Sequence, residues 1–208
     1  MISSKLDTIL QNALKEDIGD GDHSSLAVIP DDAIGKTVLL AKENGILAGV
    51  RIVLRLFEIF SKDLTAEVLI HDGAQIKPGD HILYLVGPSL QILQVERLAL
   101  NILQRMSGIA TVTNRYVKMV EGTNAKVLDT RKTTPNMRLL EKEAVRIGGG
   151  ENHRMGLYDM VMLKDNHLDF AGGIEKAINK TKKYLNSKNL NLAIEIEVRN
   201  FEELEEVL

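Results

Sequence analysis

Three segments in the carboxy-terminal half, each built around a short apolar core, decide the fold: AKVLDTRKT (residues 125–133), YDMVMLKDNH (158–167) and LAIEIEV (192–198). Their apolar cores, over 125–128, 158–163 and 192–198, read as short buried strands, and helical apolar spacing follows each of them, over 138–146, 174–185 and 201–208. Buried parallel strands that alternate with helices are typical of βα units. This half of the chain is therefore predicted to be α/β with a parallel sheet.

Charged residues stand at the ends of these predicted strands. Arg131, Lys164 and Glu197 each fall at or just past the end of a strand. Barrels and doubly wound sheets bind their ligands at the carboxyl ends of parallel strands. The sequence therefore predicts a ligand site at this edge.

Further cationic residues lie in GGGENHR (148–154) and KDNH (164–167), although the protein as a whole has a net charge of −3. A local basic cluster on an acidic protein favours an anion-binding pocket over a nucleic-acid surface, which usually carries excess positive charge overall. Arginine pairs bidentately with carboxylates and phosphates, and lysine supplies a point charge. The expected ligands are therefore carboxylates or phosphates.

Composition excludes several classes of chemistry. The chain of 208 residues has no cysteine, so disulfides and cysteine-based zinc or nucleophile chemistry are ruled out. Its first residues lack the basic and apolar regions of a signal peptide, and no apolar run approaches the roughly 18 residues that span a bilayer. A cytoplasmic location is the expectation.

The amino-terminal half is predicted to be a small α/β unit, with a domain boundary near residue 110 that divides the chain into 1–110 and 111–208. Helices are predicted over 3–16, 50–60 and 89–121, the last with a break at Ser107-Gly108, and strands over 37–41, 45–49, 66–71 and 81–86. Residues 17–25 are rich in turn formers and carboxylates, which favours a structural loop and leaves a metal site as the alternative.

Taken singly, the candidate residues also fit ordinary structural roles. Arg131 and Lys132 could lie on a solvated loop, and Gly148 could simply cap a helix. His153 could be a hydrogen-bonded structural histidine. Glu195 and Glu197 alternate on one face of a strand, so one of them could serve only in a salt bridge.

Several motifs occur in a fixed order, and the combination is more specific than any single residue. They are EDIG (16–19), VER (95–97), LQRMSGIAT (103–111), DTRKT (129–133), GGGENHRMGL (148–157), KDNH (164–167) and EIEV (195–198). Together they resemble quinolinate phosphoribosyltransferase, the carboxylating nicotinate-nucleotide pyrophosphorylase, along the whole chain. The molybdenum-locus pyrophosphorylase-like relatives share this architecture, so another heteroaromatic acid stays open as the acceptor.

The resemblance implies an α/β fold with an amino-terminal α/β sandwich domain and a partial carboxy-terminal α/β barrel, working as a homodimer. It also implies a reaction of NAD biosynthesis. Quinolinate and phosphoribosyl pyrophosphate would give nicotinate mononucleotide, pyrophosphate and CO2, with Mg2+ as cofactor.

The resemblance also implies roles for individual residues. Those implied to bind quinolinate are Arg131, His153, Arg154 and Lys164. Lys132 and Lys164 would face the phosphoribosyl donor, with His167 a weaker candidate. Glu197 would hold ribose hydroxyls or Mg2+, and Arg97 would reach the active site of the neighbouring subunit.

The sequence departs from the family pattern in its length. A complete barrel takes about 250 residues, whereas only about three βα units follow residue 120, and the family's later strand and Gly-rich phosphate-binding turns are absent. We expect a truncated or incompletely represented member, with little turnover by a chain that ends at Leu208 and with pyridine dicarboxylate binding able to survive. A non-catalytic anion-binding relative is the third hypothesis.

Overall fold

The computed structural model describes residues 2–208, whose packing forms two compact units, one up to His153 and one over Arg154–Leu208. The helices of the first unit are α1 (Ile2–Ile18), α2 (His23–Val28), α3 (Val50–Phe60), α4 (Ser89–Met119) and α5 (Arg138–Ile147). Its strands are β1 (Ile34–Leu40), β2 (Gly45–Ile46), β3 (Thr65–Val68), β4 (Gln75–Ile76) and β5 (His81–Pro88). The second unit contains β6 (Val161–Leu163), α6 (Asp165–Ala171), α7 (Ile174–Ser187), β7 (Ile194–Ile196) and α8 (Phe201–Val207).

The first unit is built on an antiparallel sheet in the order β1-β5-β3, with β2 and β4 paired separately. β5 is central because it pairs with both β1 and β3, and its residues Ile82, Leu83 and Leu85 are buried in the core. Helix α4 packs against α3, α5 and the sheet, and its residues Val95 and Ala110 are fully buried. This mixture of helices and strands confirms the predicted α/β class.

The long helix is continuous, so the predicted break at Ser107-Gly108 is wrong. Ser107 Oγ accepts a hydrogen bond from Ala48 N at 3.0 Å and lies 3.2 Å from Ala48 O. Apart from the helix's own backbone, no atom of residues 2–208 lies within 4 Å of the position of a Cβ on Gly108. The small side chain of Ser107 therefore lets the turn between β2 and α3 approach α4. Thirty-one residues of helical hydrogen bonding outweigh the low helix propensity of one glycine.

Residues 17–25 are not the continuous loop that the composition favoured. Helix α1 ends at Ile18 and α2 begins at His23, with the Asp22 carboxylate accepting a hydrogen bond from Ser25 N at 3.1 Å. This N-cap role lowers the pKa of Asp22 through the Ser25 hydrogen bonds. Across residues 2–208, no three His, Asp or Glu side chains gather where they could hold a metal ion.

The predicted strand over 125–128 is present only as an isolated parallel bridge between Leu128 and Glu151. Glu151 N donates to Val127 O at 2.9 Å, and Asp129 N donates to Glu151 O at 3.2 Å. Within the described residues this bridge is not continued into a longer ladder. The sequence pattern also failed to predict α6 and β4, which are too short for their periodicity to be recognised.

The second unit contains one parallel strand pair with helices packed against it. β6 pairs with β7 in the register Val161↔Ile194 to Leu163↔Ile196. Leu163, Leu168, Ile174 and Ala177 form its small core. No helix within residues 2–208 combines the length and apolar character needed to cross a membrane.

Candidate anion-binding site

In the first unit, the candidate site is organised around Asp129, which directly follows the Leu128–Glu151 bridge. Its Oδ1 accepts hydrogen bonds from Lys142 Nζ and from His153 N at 2.9 Å, while Oδ2 accepts one from Asn152 Nδ2 at 2.6 Å. Because Asp129 and His153 follow paired residues, the parallel bridge brings the two chain segments together. The carboxylate thus ties DTRKT to the segment after the three glycines.

Lys142 completes this cluster from α5. Its side chain is only 1% exposed, and besides Asp129 its Nζ contacts His153 O at 2.9 Å. The amide of Asn152 donates to Lys142 O at 2.8 Å. Both backbone polar groups of His153 are therefore engaged by one buried ion pair, which positions this candidate residue without using its ring.

The loop after Asp129 carries Arg131 and Lys132. Lys132 N donates to Thr130 Oγ1 at 3.0 Å, and Arg138 donates to Thr133 Oγ1 at 3.1 Å and to Arg131 O at 3.3 Å. Arg131 Nε is buried and has no hydrogen-bond acceptor among the described residues. Buried donors are almost always paired, so this nitrogen fits a ligand oxygen. The Lys132 side chain is exposed.

The far end of the loop is held by Glu141, the neighbour of Lys142 on α5. Its carboxylate accepts hydrogen bonds from Arg105 at 2.5 and 3.0 Å and from Thr134 N at 3.1 Å. Burial acts to raise the pKa of Glu141, but the bonds from Arg105 and Thr134 outweigh it and leave the pKa below the ordinary value of 4.5. Glu141 is therefore a charged anchor of the loop at neutral pH.

The triple glycine ends α5 and brings it close to α4. Gly148 is the C-cap residue, as predicted, but a Cβ there would also lie 2.5 Å from Ala110 O. Gly149 has φ +94°, a conformation that favours glycine. Gly148 thus has a packing function besides capping.

In the second unit, Lys164 and Glu197 meet at the ends of the parallel strands, as the sequence predicted for strand-end residues. Lys164 Nζ lies 2.6 Å from Glu197 Oε1, and the two side chains are 44% and 50% exposed. Lys164 N donates to His167 Nδ1 at 2.9 Å, so Nδ1 acts as the acceptor and the neutral ring carries its proton on Nε2. The three residues form one polar cluster.

Arg154 opens the second unit and is nearly buried, at 9% exposure. The turn after it is closed by Asp159, whose carboxylate accepts from Met155 N at 2.6 Å and from Gly156 N at 2.8 Å. Within the described part of the chain, Arg154 has no ion-pair partner. Burying a charge is costly without a counterion, so Arg154 is suited to binding an anion.

The predicted residues thus fall into separate groups. In the first unit, His153 contacts Asp129 through its backbone, while Arg131 and Lys132 lie on the loop that follows Asp129. In the second unit, Lys164, His167 and Glu197 form one cluster. Arg97 is exposed on α4 and makes no ion pair with a described residue.

The residues that hold the first unit's candidate residues in place were not predicted from the sequence. They are Asp129, Lys142, Asn152, Glu141 and Arg105. The available signal was weak: Glu141 and Lys142 lie between the apolar residues Leu140 and Ala144, but Glu143 beside them is charged as well. Two charged residues beside a buried helix face suggest internal ion pairs. Their partners lie far away in the sequence, so the pairs could not be predicted.

Glu197 is the only side chain predicted to hold Mg2+. It offers a half-exposed carboxylate, of which one oxygen already accepts from Lys164. Mg2+ is commonly held by one or two carboxylates, with waters and substrate phosphates completing an octahedron. A single carboxylate at a strand end fits that mode.

These features define an α/β protein with anion-binding groups at strand ends, and comparison with known proteins identifies the family. Sequence models of the N-terminal and C-terminal domains of quinolinate phosphoribosyl transferase match residues 22–107 and 109–208. The chain therefore belongs to the quinolinate phosphoribosyl transferase family. The matched ranges meet near the predicted boundary at residue 110, whereas the compact units divide after His153, so that boundary stays a prediction.

Individual relatives agree with this assignment. Over 98% of the chain, it is 45% identical to a chloroplastic carboxylating nicotinate-nucleotide pyrophosphorylase of Arabidopsis thaliana and 40% identical to a probable one of Synechocystis. Among solved structures, NadC from Streptococcus pyogenes is 41% identical, with a TM-score of 0.91 over 97% of the chain. The chain spans 58% of the Arabidopsis protein, 68% of the Synechocystis protein and 70% of the NadC chain.

Proposed function

We propose that the protein transfers the phosphoribosyl group of phosphoribosyl pyrophosphate to quinolinate with loss of CO2, forming nicotinate mononucleotide and pyrophosphate for NAD biosynthesis. The observation that carries the proposal is Arg131 Nε, a buried donor without an acceptor among the described residues, on a loop anchored at both ends. A carboxylate of quinolinate supplies the acceptor that this nitrogen requires. Several relatives are named for the same decarboxylating transfer.

Quinolinate carries two carboxylates, so its recognition requires several fixed cations. We assign Arg131, His153, Arg154 and Lys164 to these carboxylates. Arg154 suits the role because it is nearly buried and has no described counterion. Preorganised arginine groups would fix the ring so that its nitrogen faces the anomeric carbon.

The donor side requires stabilisation of the departing pyrophosphate and of the sugar. We assign Lys132 and Lys164 to the leaving-group charge and Glu197 to the ribose hydroxyls, with His167 as an additional contact. Bound at Glu197 and the donor's oxygens, Mg2+ would supply Lewis-acid stabilisation of that charge. The Lys164–Glu197 ion pair is half exposed, so a ligand can replace it at little energetic cost.

The reaction balances without a protein nucleophile. The ring nitrogen forms a bond to the anomeric carbon as the bond to pyrophosphate breaks. The 2-carboxylate then leaves as CO2, its bonding electron pair stays on the cationic ring, and a proton takes its place. The side chains orient the ring and hold the charges in this scheme.

We further propose a homodimer in which Arg97 reaches the neighbouring subunit. Its position supports this, since the guanidinium is exposed on α4 and makes no ion pair with a described residue. A cytoplasmic location remains the expectation from the sequence. Sedimentation of the chain and of Arg97→Ala, followed by activity of an equimolar mixture of Arg97→Ala with Lys164→Met, would test for shared sites.

The proposed function is tested with quinolinate labelled at the 2-carboxylate, phosphoribosyl pyrophosphate and Mg2+. The turnover that occurs should give labelled CO2 and nicotinate mononucleotide in equal amounts, and no CO2 should form when quinolinate is replaced by nicotinate, which lacks the departing carboxylate. Calorimetric titration on the same sample measures binding separately from turnover. A folded protein that neither binds quinolinate nor releases CO2 would rule out the proposal and favour another heteroaromatic acid.

A further inference from the structure

We propose that α5 is an internal brace for the loop Asp129–Thr134, and that its consecutive buried charges Glu141 and Lys142 are positioning residues. The part of this inference that concerns the ligand rests on the proposed function. The part that concerns the loop rests on the contacts of the first unit alone.

Lys142 fixes the beginning of the loop. Its ammonium binds the carboxylate of Asp129 and the carbonyl oxygen of His153, and both bonds are shielded from water because Lys142 is 1% exposed. Asp129 in turn accepts the backbone N–H of His153. One ion pair therefore sets where the loop starts and where the backbone of His153 lies.

Glu141 fixes the end of the loop. It accepts the backbone N–H of Thr134 and, at the same time, two bonds from Arg105 on α4. Arg105 also donates to Thr134 Oγ1 at 2.6 Å. Thr134 is thus held through its backbone and its side chain.

Helix geometry explains why two adjacent residues can serve both ends. Successive side chains on an α-helix point about 100° apart, which follows from 3.6 residues per turn. Glu141 and Lys142 therefore reach different ends of the same six-residue loop. The loop carries Arg131 and Lys132 between two fixed points, which reduces the entropy lost when those cations bind a ligand.

Lys142 could be read instead as a catalytic lysine or as a residue that only stabilises the fold. The catalytic reading does not fit, since its Nζ already contacts two internal oxygens and is shielded from solvent. A purely stabilising role would leave the loop backbone and ligand affinity unchanged in any variant that still folds. The conformation of the loop backbone and the affinity for the ligand therefore distinguish a positioning residue from a purely stabilising one.

The test combines amide hydrogen exchange with calorimetry on Lys142→Met, which keeps the length of the side chain without its charge. The matched control is Arg146→Met on the same helix, which removes the exposed Arg146–Glu143 pair. In Lys142→Met we expect the amide of His153 to exchange at least about tenfold faster than in the unmodified chain, and faster than the amide of Val53 in α3, whose exchange reports the overall loss of stability. Quinolinate should bind about 10- to 100-fold more weakly, and the control should match the unmodified protein.

Unchanged exchange at His153 together with unchanged quinolinate affinity in folded Lys142→Met would overturn the brace. If that variant does not fold, Glu141→Ala decides: the brace predicts faster exchange at the Thr134 amide and weaker quinolinate binding, and unchanged values overturn it. If the unmodified chain binds no quinolinate, the proposed function fails, and the exchange data still decide whether α5 holds the loop.

Discussion

The two units contain similar ion pairs in different surroundings. Each pair follows a parallel strand contact: Asp129 lies after the Leu128–Glu151 bridge, while Lys164 and Glu197 follow β6 and β7. Asp129 and Lys142 are 7% and 1% exposed, whereas Lys164 and Glu197 are 44% and 50% exposed. The buried pair is enclosed by further hydrogen bonds to Asn152 and His153.

Burial decides what each pair can do. Losing one partner of a buried pair leaves an uncompensated charge, so such a pair behaves as a fixed structural element. An exposed pair contributes little to stability and separates easily when a ligand provides better partners. We therefore expect the Asp129–Lys142 pair to position other groups and the Lys164–Glu197 pair to separate when a ligand binds.

The largest effect is expected at the buried pair. Lys142→Met should lower the free energy of unfolding by about 3–5 kcal/mol, because Asp129 loses its buried counterion. Adding Asp129→Asn should restore part of that loss by removing the unpaired charge. Urea unfolding of both variants measures the difference, and a loss of less than about 1 kcal/mol in the single variant would show that burial does not distinguish the two pairs.

Packing around the first cluster should give the next largest effect. Gly148→Ala should cost about 3 kcal/mol, since the new Cβ meets Ala110 O on α4 and backbone atoms move little. Gly108→Ala on the same helix α4 is the control, and it should stabilise the protein by about 0.5–1 kcal/mol because open space surrounds that position. Equal thermal shifts for the two variants would contradict the close approach of α5 to α4.

The Glu141 anchor should show its effect through pH. Glu141→Gln should cost about 2 kcal/mol at pH 7, where the native carboxylate is ionised and accepts charged hydrogen bonds. The folded pKa lies below the ordinary 4.5, so this stability is present above pH 4.5 and is lost as pH falls through the folded pKa. Unfolding curves from pH 3 to 7 should therefore converge at the acid end, and a constant gap would contradict a charged Glu141.

The exposed pair should give the smallest change in stability. Lys164→Met should alter the free energy of unfolding by less than about 1 kcal/mol, because the pair is half solvated. Ligand affinity should nevertheless fall, which distinguishes a binding residue from a structural one. A destabilisation similar to that of Lys142→Met would remove the contrast between the units.

The sequence was most informative where a periodic pattern or a strand end was involved. Helix α3 was predicted at its observed limits, and the ends of β6 and β7 were predicted to carry Lys164 and Glu197, which meet in the structure. These features depend on local spacing and on the rule that parallel strands end at a common edge. Both are visible in a single sequence.

Long-range pairing could not be predicted in the same way. Lys142 looked like one more polar residue of α5, and its burial follows from Asp129 and His153, thirteen and eleven residues away. Arg105 and Glu141 are separated by thirty-six residues. The predicted break at Ser107-Gly108 failed for a related reason, because the small side chain of Ser107 serves a hydrogen bond with Ala48, which lies fifty-nine residues away in the sequence.

Calorimetric titration with quinolinate, of the unmodified chain and of Lys164→Met at the same pH, tests the central claim most directly. We expect single-site binding by the unmodified chain and about 10- to 100-fold weaker binding by Lys164→Met, with matching unfolding curves. A folded chain that binds no quinolinate, or a Lys164→Met variant that binds it equally well, would contradict the claim that the exposed pair serves the ligand.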